Sequence, residues 1–222
     1  MTMTGEGGKL DLTKTDRPYY AAPRHPQLVT ISELSYLAVT DRGAPDSPVF
    51  AAAVEALYKL AYGVKARHKA VGRDFAVPKL EGLWWAEAGR EALEAPRETW
   101  QWKLLIRMPE FVDAGSVNAA RETAMAKNKQ LDAIRRIRLE RLAEGMAVQM
   151  LHVGPYSTEP ETLRAIHAFM AAQRLEQRGL HHEIYLSDPR KTAPSAMKTI
   201  LRLPVRSVAA PRMPIIGTEE PV

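Results

Sequence analysis

The second half of this chain repeats the order of its first, and that repetition restricts the fold more than any single motif. Leu105-Ile106-Arg107-Met108-Pro109 matches Ile200-Leu201-Arg202-Leu203-Pro204, and Leu80-Glu81-Gly82-Leu83-Trp84-Trp85 sits where His181 to Leu186 does. Ahead of each pair lies an alternating segment, a break (Gly43-Ala44-Pro45, Gly154-Pro155-Tyr156) and an apolar stripe at helical spacing. The spacings between matched elements differ by only a few residues, which loops absorb. Two copies of one supersecondary unit follow: an α+β fold of two tandem strand-helix-strand-strand modules, related by a pseudo-twofold axis. Each unit covers one sheet face with its helix and leaves the other bare. Joined, the bare faces predict a concave floor around a central cleft, and a large apolar floor is rarely left open unless it binds something.

Taken in order, residues 1–8 read as a disordered lead and 9–27, with three prolines and no period, as an extended arm. The first module spans 28–110. It opens on two short strands, Leu28–Ile31 and Tyr36–Thr40, about a turn at Ser32–Ser35. Ser47 is placed to cap a helix with Pro48 at its first position, and Phe50, Val54, Leu57, Ala61 and Val64 form a stripe over roughly four turns. Residues 77–86 and 100–107 read as strands joined by a charged loop. The second module spans 111–205, beginning with a helix from Asp113 to about Lys129 that has no counterpart in the first. Ile137–Leu142 reads as a strand that turns at Ala143-Glu144-Gly145 and returns along Met146–Val153, although 131–142 equally fits a continued helix. Thr158 and Glu161 fit a capping box for a helix carrying Leu163, Ile166 and Met170 and ending near Gly179. Strands at 181–187 and 198–205 follow, and 206–222 is a tail.

With 222 residues, 45% hydrophobic and 26% charged, the chain can bury a real core. No apolar run is long enough to span a bilayer and no secretory core is present, so no membrane partner is expected. The absence of cysteine excludes disulfides and thiolate chemistry and fits a cytoplasmic location. The net charge of +5 is modest. The basic run from Lys127 to Arg141 lacks interleaved aromatics and reads as a solvated face, so no nucleic-acid partner is expected either. Strands are expected to begin by residue 28, so no helical DNA-binding domain is expected ahead of them. Oligomeric state is not encoded in any pattern here.

The strand at 181–187 carries the chemistry. Strand side chains alternate, so His181, Glu183, Tyr185 and Ser187 share one face and His182, Ile184 and Leu186 the other. A carboxylate beside a phenol in mid-strand is ordinarily a solvent-facing side. Trp84 is the repeat counterpart of Tyr185, however, and Trp100 and Trp102 share one face of the neighbouring strand. With Trp85, all four tryptophans fall in two adjacent strands opposite the Glu-Tyr strand. Core packing explains any one of them; four together predict a flat aromatic pocket around Glu183. Tyr156, after the Gly154-Pro155 break, can lean over it, and Tyr36, His152 and His181 complete the candidate lining. No metal or other cofactor is expected: adjacent strand residues cannot share one ion, and neither helical ligand spacing, a phosphate loop nor a nucleophile elbow is present.

Together, LEGLWW at 80–85, WKLLIRMPEFV at 102–112, HVGPY at 152–156 and HHEIYLSDPRKTAP at 181–194 resemble the GyrI-like small-molecule-binding superfamily, and in particular its stand-alone bacterial branch. The similarity runs from about Lys9 to Val205. Asp41-Arg42-Gly43 departs from it, where relatives often carry a second glycine. The resemblance implies paired strand-helix-strand-strand modules with Glu183 as the cleft carboxylate. It further implies either hydrolysis of cyclopropane-bearing, DNA-alkylating natural products or binding of lipophilic, often cationic, ligands without turnover. In the hydrolytic reading Glu183 is the general base, its pKa raised by desolvation, and Tyr156 or Tyr185 donates to the developing oxyanion. In the binding reading the same carboxylate and rings sequester a hydrophobic cation. The ligand in both is a lipophilic aromatic small molecule.

Overall fold

The computed structural model describes residues 8–86 and 95–208. The expected lead, most of the charged loop after residue 86, and the tail from 209 lie outside them. Each of the two expected modules contains one long strand, a helix and two strands. The first comprises β1 (Gln27–Arg42), α3 (Pro48–Ala70), β2 (Leu80–Trp85) and β3 (Gln101–Met108). The second comprises β4 (Arg138–Val153), α6 (Glu159–Ala172), β6 (His181–Tyr185) and β7 (Lys198–Ser207). Helix α4 (Ala114–Lys127) and the short α5 (Ala133–Arg136) intervene, and β5 (Leu175–Gln177) pairs with β7.

The strands close on themselves. Neighbours run β4-β1-β3-β2-β6-β7, and β7 pairs back onto β4, so six antiparallel strands form a barrel. Exchanging the two modules (β1 with β4, β2 with β6, β3 with β7) leaves this set of pairings unchanged. Where β2 meets β6, repeat counterparts touch. Gly82 is registered opposite Glu183, Glu81 Oε2 lies 3.0 Å from His182 Nε2, and Trp84 Nε1 donates to Tyr185 at 2.9 Å.

The hairpin predicted at the start of each module is instead a single 16-residue strand. β1 passes through Ser32–Ser35 without turning because Ile31, Glu33 and Leu34 are already paired with β4. Gly145 takes a positive φ of 62°, but as a kink inside β4, where the inward set changes from Leu142 and Glu144 to Ala147, Gln149 and Leu151. Only residues 133–136 of the ambiguous 131–142 stretch are helical.

Helix starts follow local chemistry. Ser47 Oγ accepts from the Phe50 amide at 3.3 Å, and Asp113 accepts from Ser116 at 2.7 Å, satisfying orphan first-turn donors. Thr158 makes no capping bond to α6; its hydroxyl donates instead to Pro155 O at 2.8 Å. α6 stops at Ala172, well short of Gly179, because the chain reverses at Arg174 (φ 53°) into β5.

Two interiors result. Outside the barrel wall, α3 and α4 pack Leu57, Leu60, Val64 and Val117 on Leu37, Val39, Trp102, Leu104 and Ile106, while α6 packs Leu163, Ile166 and Met170 on Val148, Leu201 and Leu203. Inside is the lumen. There the arm is neither extended nor detached: α1 (Leu12–Thr15) and α2 (Arg17–Tyr20) drive Tyr19 and Tyr20 into the barrel. The Tyr19 ring lies between two repeat-related guanidinium groups, 4.6 Å from Arg107 and 4.4 Å from Arg202. Its hydroxyl donates to Glu81 at 2.5 Å. His182 extends the network, its two ring nitrogens 3.0 Å from Glu81 and 2.9 Å from Glu144, and Arg202 donates to Glu144 at 2.8 Å.

Candidate functional site

The floor expected inside the two joined sheets is therefore occupied by the protein's own residues, and Glu183 does not face it. Alternation along β6 sends His182 and Ile184 into the lumen and His181, Glu183 and Tyr185 outward, to the side that carries the helices. Glu183 is nonetheless only 8% exposed. It is flanked by Gly82 on β2 and Leu201 on β7, its register partners. Aromatic rings from several elements wall it in. Trp84 stacks on Phe50 of the first turn of α3 at 5.8 Å and meets Trp100 edge-on at 5.7 Å. Tyr185 meets Tyr156 edge-on at 6.0 Å, and Tyr156, 40% exposed, forms the wet margin.

The hydrogen bonds run in one direction. Trp84 Nε1 donates to the Tyr185 hydroxyl, which donates in turn to the Glu183 carboxylate. Gly82 makes this possible, because a Cβ there would come within 2.8 Å of Trp84 Nε1 and 2.9 Å of the Tyr185 hydroxyl. His181 Nε2 lies 3.8 Å from Glu183 Oε1.

Burial dominates the electrostatics. It pushes the Glu183 carboxyl up to about 7, against the opposing pull of the Tyr185 hydrogen bond and of His182. Burial likewise raises Tyr156, to about 12, with the Glu183 charge adding to it. A second carboxyl, Glu159 at the first position of α6, is 2% exposed and is held well above the usual carboxylate range by burial and by Glu183. It is hydrogen-bonded to Thr199, the β7 register partner of Tyr185.

The structure thus brings together Glu183, Tyr185, Tyr156, Trp84, Trp100 and His181. Trp102 lies beneath them, fully buried, against Phe50 and with Nε1 donating to Gly43 O. Three expected members fall elsewhere. Trp85 packs with the lumen cluster and Tyr36 bonds Tyr19 inside the barrel, since each sits one residue out of phase with the outward face. His152, two strands over, is fixed under α6, with Nδ1 2.9 Å from Thr162 and Nε2 donating to Pro155 O at 3.2 Å. It lines a separate open cavity of about 480 Å³ with Arg24 and Ser195. Sequence reasoning missed Gly82, Phe50 and Glu159. Gly82 was already aligned with Glu183 by the repeat, which is the signal that it shares the site. Glu159 carries no such signal, since an acid in the first turn of a helix is ordinary. Among the described residues no cluster of His, Asp and Glu has the geometry to hold a metal ion, and no helix is long and apolar enough to cross a membrane.

The model of the GyrI-like small-molecule-binding domain matches residues 24–206. An uncharacterized conserved protein from Listeria innocua is 41% identical, with a TM-score of 0.84, covering 89% of this chain and all of its own. Two Listeria innocua proteins described as hydrolases are also similar. One is 39% identical with a TM-score of 0.79 over 89% of this chain, the other 38% with 0.81 over 90%; both are covered in full. No curated protein matches the sequence.

Proposed function

Because the chain belongs to the GyrI-like small-molecule-binding family, we propose that it is a hydrolase that opens a strained cyclopropane fused to an aromatic dienone. One observation carries this reading: a buried carboxyl held near neutrality among indole and phenol rings, with a half-exposed tyrosine at the margin. The resemblance supplies the substrate class, and the hydrolases among the similar structures support the reaction type.

Water attacks a cyclopropane carbon while Glu183 takes its proton. The carbon–carbon bond breaks, its electron pair passes into the ring, and the carbonyl oxygen becomes a phenolate that must be protonated. Two tyrosines could meet that oxygen. The proton of Tyr185 is committed to Glu183, so Tyr185 positions the base, and Tyr156 is the donor that faces the developing charge. Trp84 and Trp100 hold the flat ring system, whose burial contributes several kcal/mol.

The test is conversion of a spiro-cyclopropyl cyclohexadienone, followed by the mass gain of one water. Glu183→Gln keeps tryptophan quenching by the dienone and loses ~10²-fold or more in turnover. Quenching with release of unchanged compound by the wild-type protein, stronger for lipophilic cations than for neutral analogues, favours a sequestering module instead.

A further inference from the structure

Two carboxyl groups are buried here, Glu183 and Glu159, and the mechanism above uses one. Glu159 Oε1 is buried with no hydrogen-bond partner, an arrangement that is costly for a charged oxygen. The other anchor of Glu159 is Thr199, placed across the β6–β7 ladder from Tyr185. Tyr156 lies three residues before Glu159, and after burial the charges of Glu183 and Glu159 hold its hydroxyl pKa up. The ionisable groups facing Glu159 are thus Glu183, Tyr185 and Tyr156.

We infer that Glu159 is the protonated member of two neighbouring buried carboxyls, and that it resupplies Tyr156 when Tyr156 protonates the phenolate. This rests on the hydrolase reading and assigns its missing proton source. The balance closes within the site. Glu183 gains the proton of the attacking water; Tyr156 gives its proton to the product oxygen and regains one from Glu159. After product leaves, Glu183 returns its proton to Glu159, so the net reaction consumes one water and no external acid. Burial and the neighbouring Glu183 both favour Glu159 as the protonated member.

The experiment is the pH profile of dienone hydrolysis by wild type, Glu159→Gln and Thr199→Val. Glutamine keeps the shape and cannot give up a proton, so kcat falls ~10²-fold with KM unchanged, and the alkaline limb disappears. The acid limb, set by Glu183, stays in place because Glu159 is neutral across it. Thr199 lowers the pKa of Glu159, so Thr199→Val moves the alkaline limb to higher pH and leaves the acid limb alone, which keeps the inference testable if Glu159→Gln does not fold. Wild-type kcat in Glu159→Gln, an acid limb moved downward in it, or an unmoved alkaline limb in Thr199→Val each overturns the inference while the hydrolase reading stands. Wild-type protein that never converts the dienone overturns the hydrolase reading, and the donor role with it.

Discussion

His182 and Glu183 are consecutive residues that serve two separate interiors. His182 points into the barrel between Glu81 and Glu144, and Glu183 points out of it, beside Tyr185 under the indole rings. One peptide unit therefore joins the ion network of the lumen to the buried carboxyl proposed as the general base.

Their opposite surroundings set the pH dependence of stability. Burial alone would lower His182, but Glu144 and Glu81 outweigh it and hold the imidazolium to about 9, from 6.5. That contribution is complete below 6.5 and is lost as pH rises through 9. Glu183, raised from 4.5 to about 7, adds a loss between those values. Glu144 is pulled down to about 2 by His182 and Arg202 against its burial, so its contribution holds above 4.5 and fades toward 2. Denaturant unfolding should show greatest stability near pH 5 and a steady decline to pH 9. Glu183→Gln should remove the part of the decline below 7 and keep the rest; a flat curve from 5 to 9 contradicts this assignment.

Gly82→Ala drives a methyl group into the Trp84–Tyr185 hydrogen bond. The expected cost is about 1–3 kcal/mol in stability. Turnover should fall further than stability does, because Tyr185 can no longer hold Glu183. Wild-type turnover in this variant would show that the bond is dispensable.

The two tyrosines separate by phenotype. Tyr185→Phe removes a hydrogen bond that lowers the Glu183 pKa, so the acid limb of the turnover profile moves above 7. Tyr156→Phe leaves that limb in place and lowers kcat at every pH, by ~10-fold or more. The reverse pattern would exchange their roles.

Tyr19→Phe tests the lumen alone. It strips Glu81 of its 2.5 Å donor inside the barrel, and Glu81 Oε1 already has no hydrogen-bond partner. The expected cost is about 1–3 kcal/mol by chemical denaturation, with dienone turnover at saturation unchanged. A loss of turnover would tie the lumen to the site.

Much of this was legible because it is periodic. Alternation correctly divided His181, Glu183 and Tyr185 from His182 and Ile184, and the repeat put Trp84 on the same side as Tyr185. Alternation says which residues share a face, not which face receives the helices. The lumen was therefore mistaken for the cleft, and Trp85 and Tyr36 were grouped with Glu183. The arm was legible as an arm, but not its seat in the lumen, because Tyr19 and Tyr20 have no period and meet Arg107, Arg202 and Glu81, distant in sequence. Continuous β1 and β4 were broken into hairpins because Ser32–Ser35 and Gly145 carry turn-like residues that long-range pairing overrides.

Glu183 is proposed as the group whose ionisation switches on the chemistry. Carboxyl-carbon NMR of the protein, with the resonance assigned by its loss in Glu183→Gln, should follow a titration near pH 7 that coincides with the acid limb of dienone hydrolysis. A Glu183 carboxyl titrating near 4.5, or a turnover profile that ignores its titration, would contradict the account.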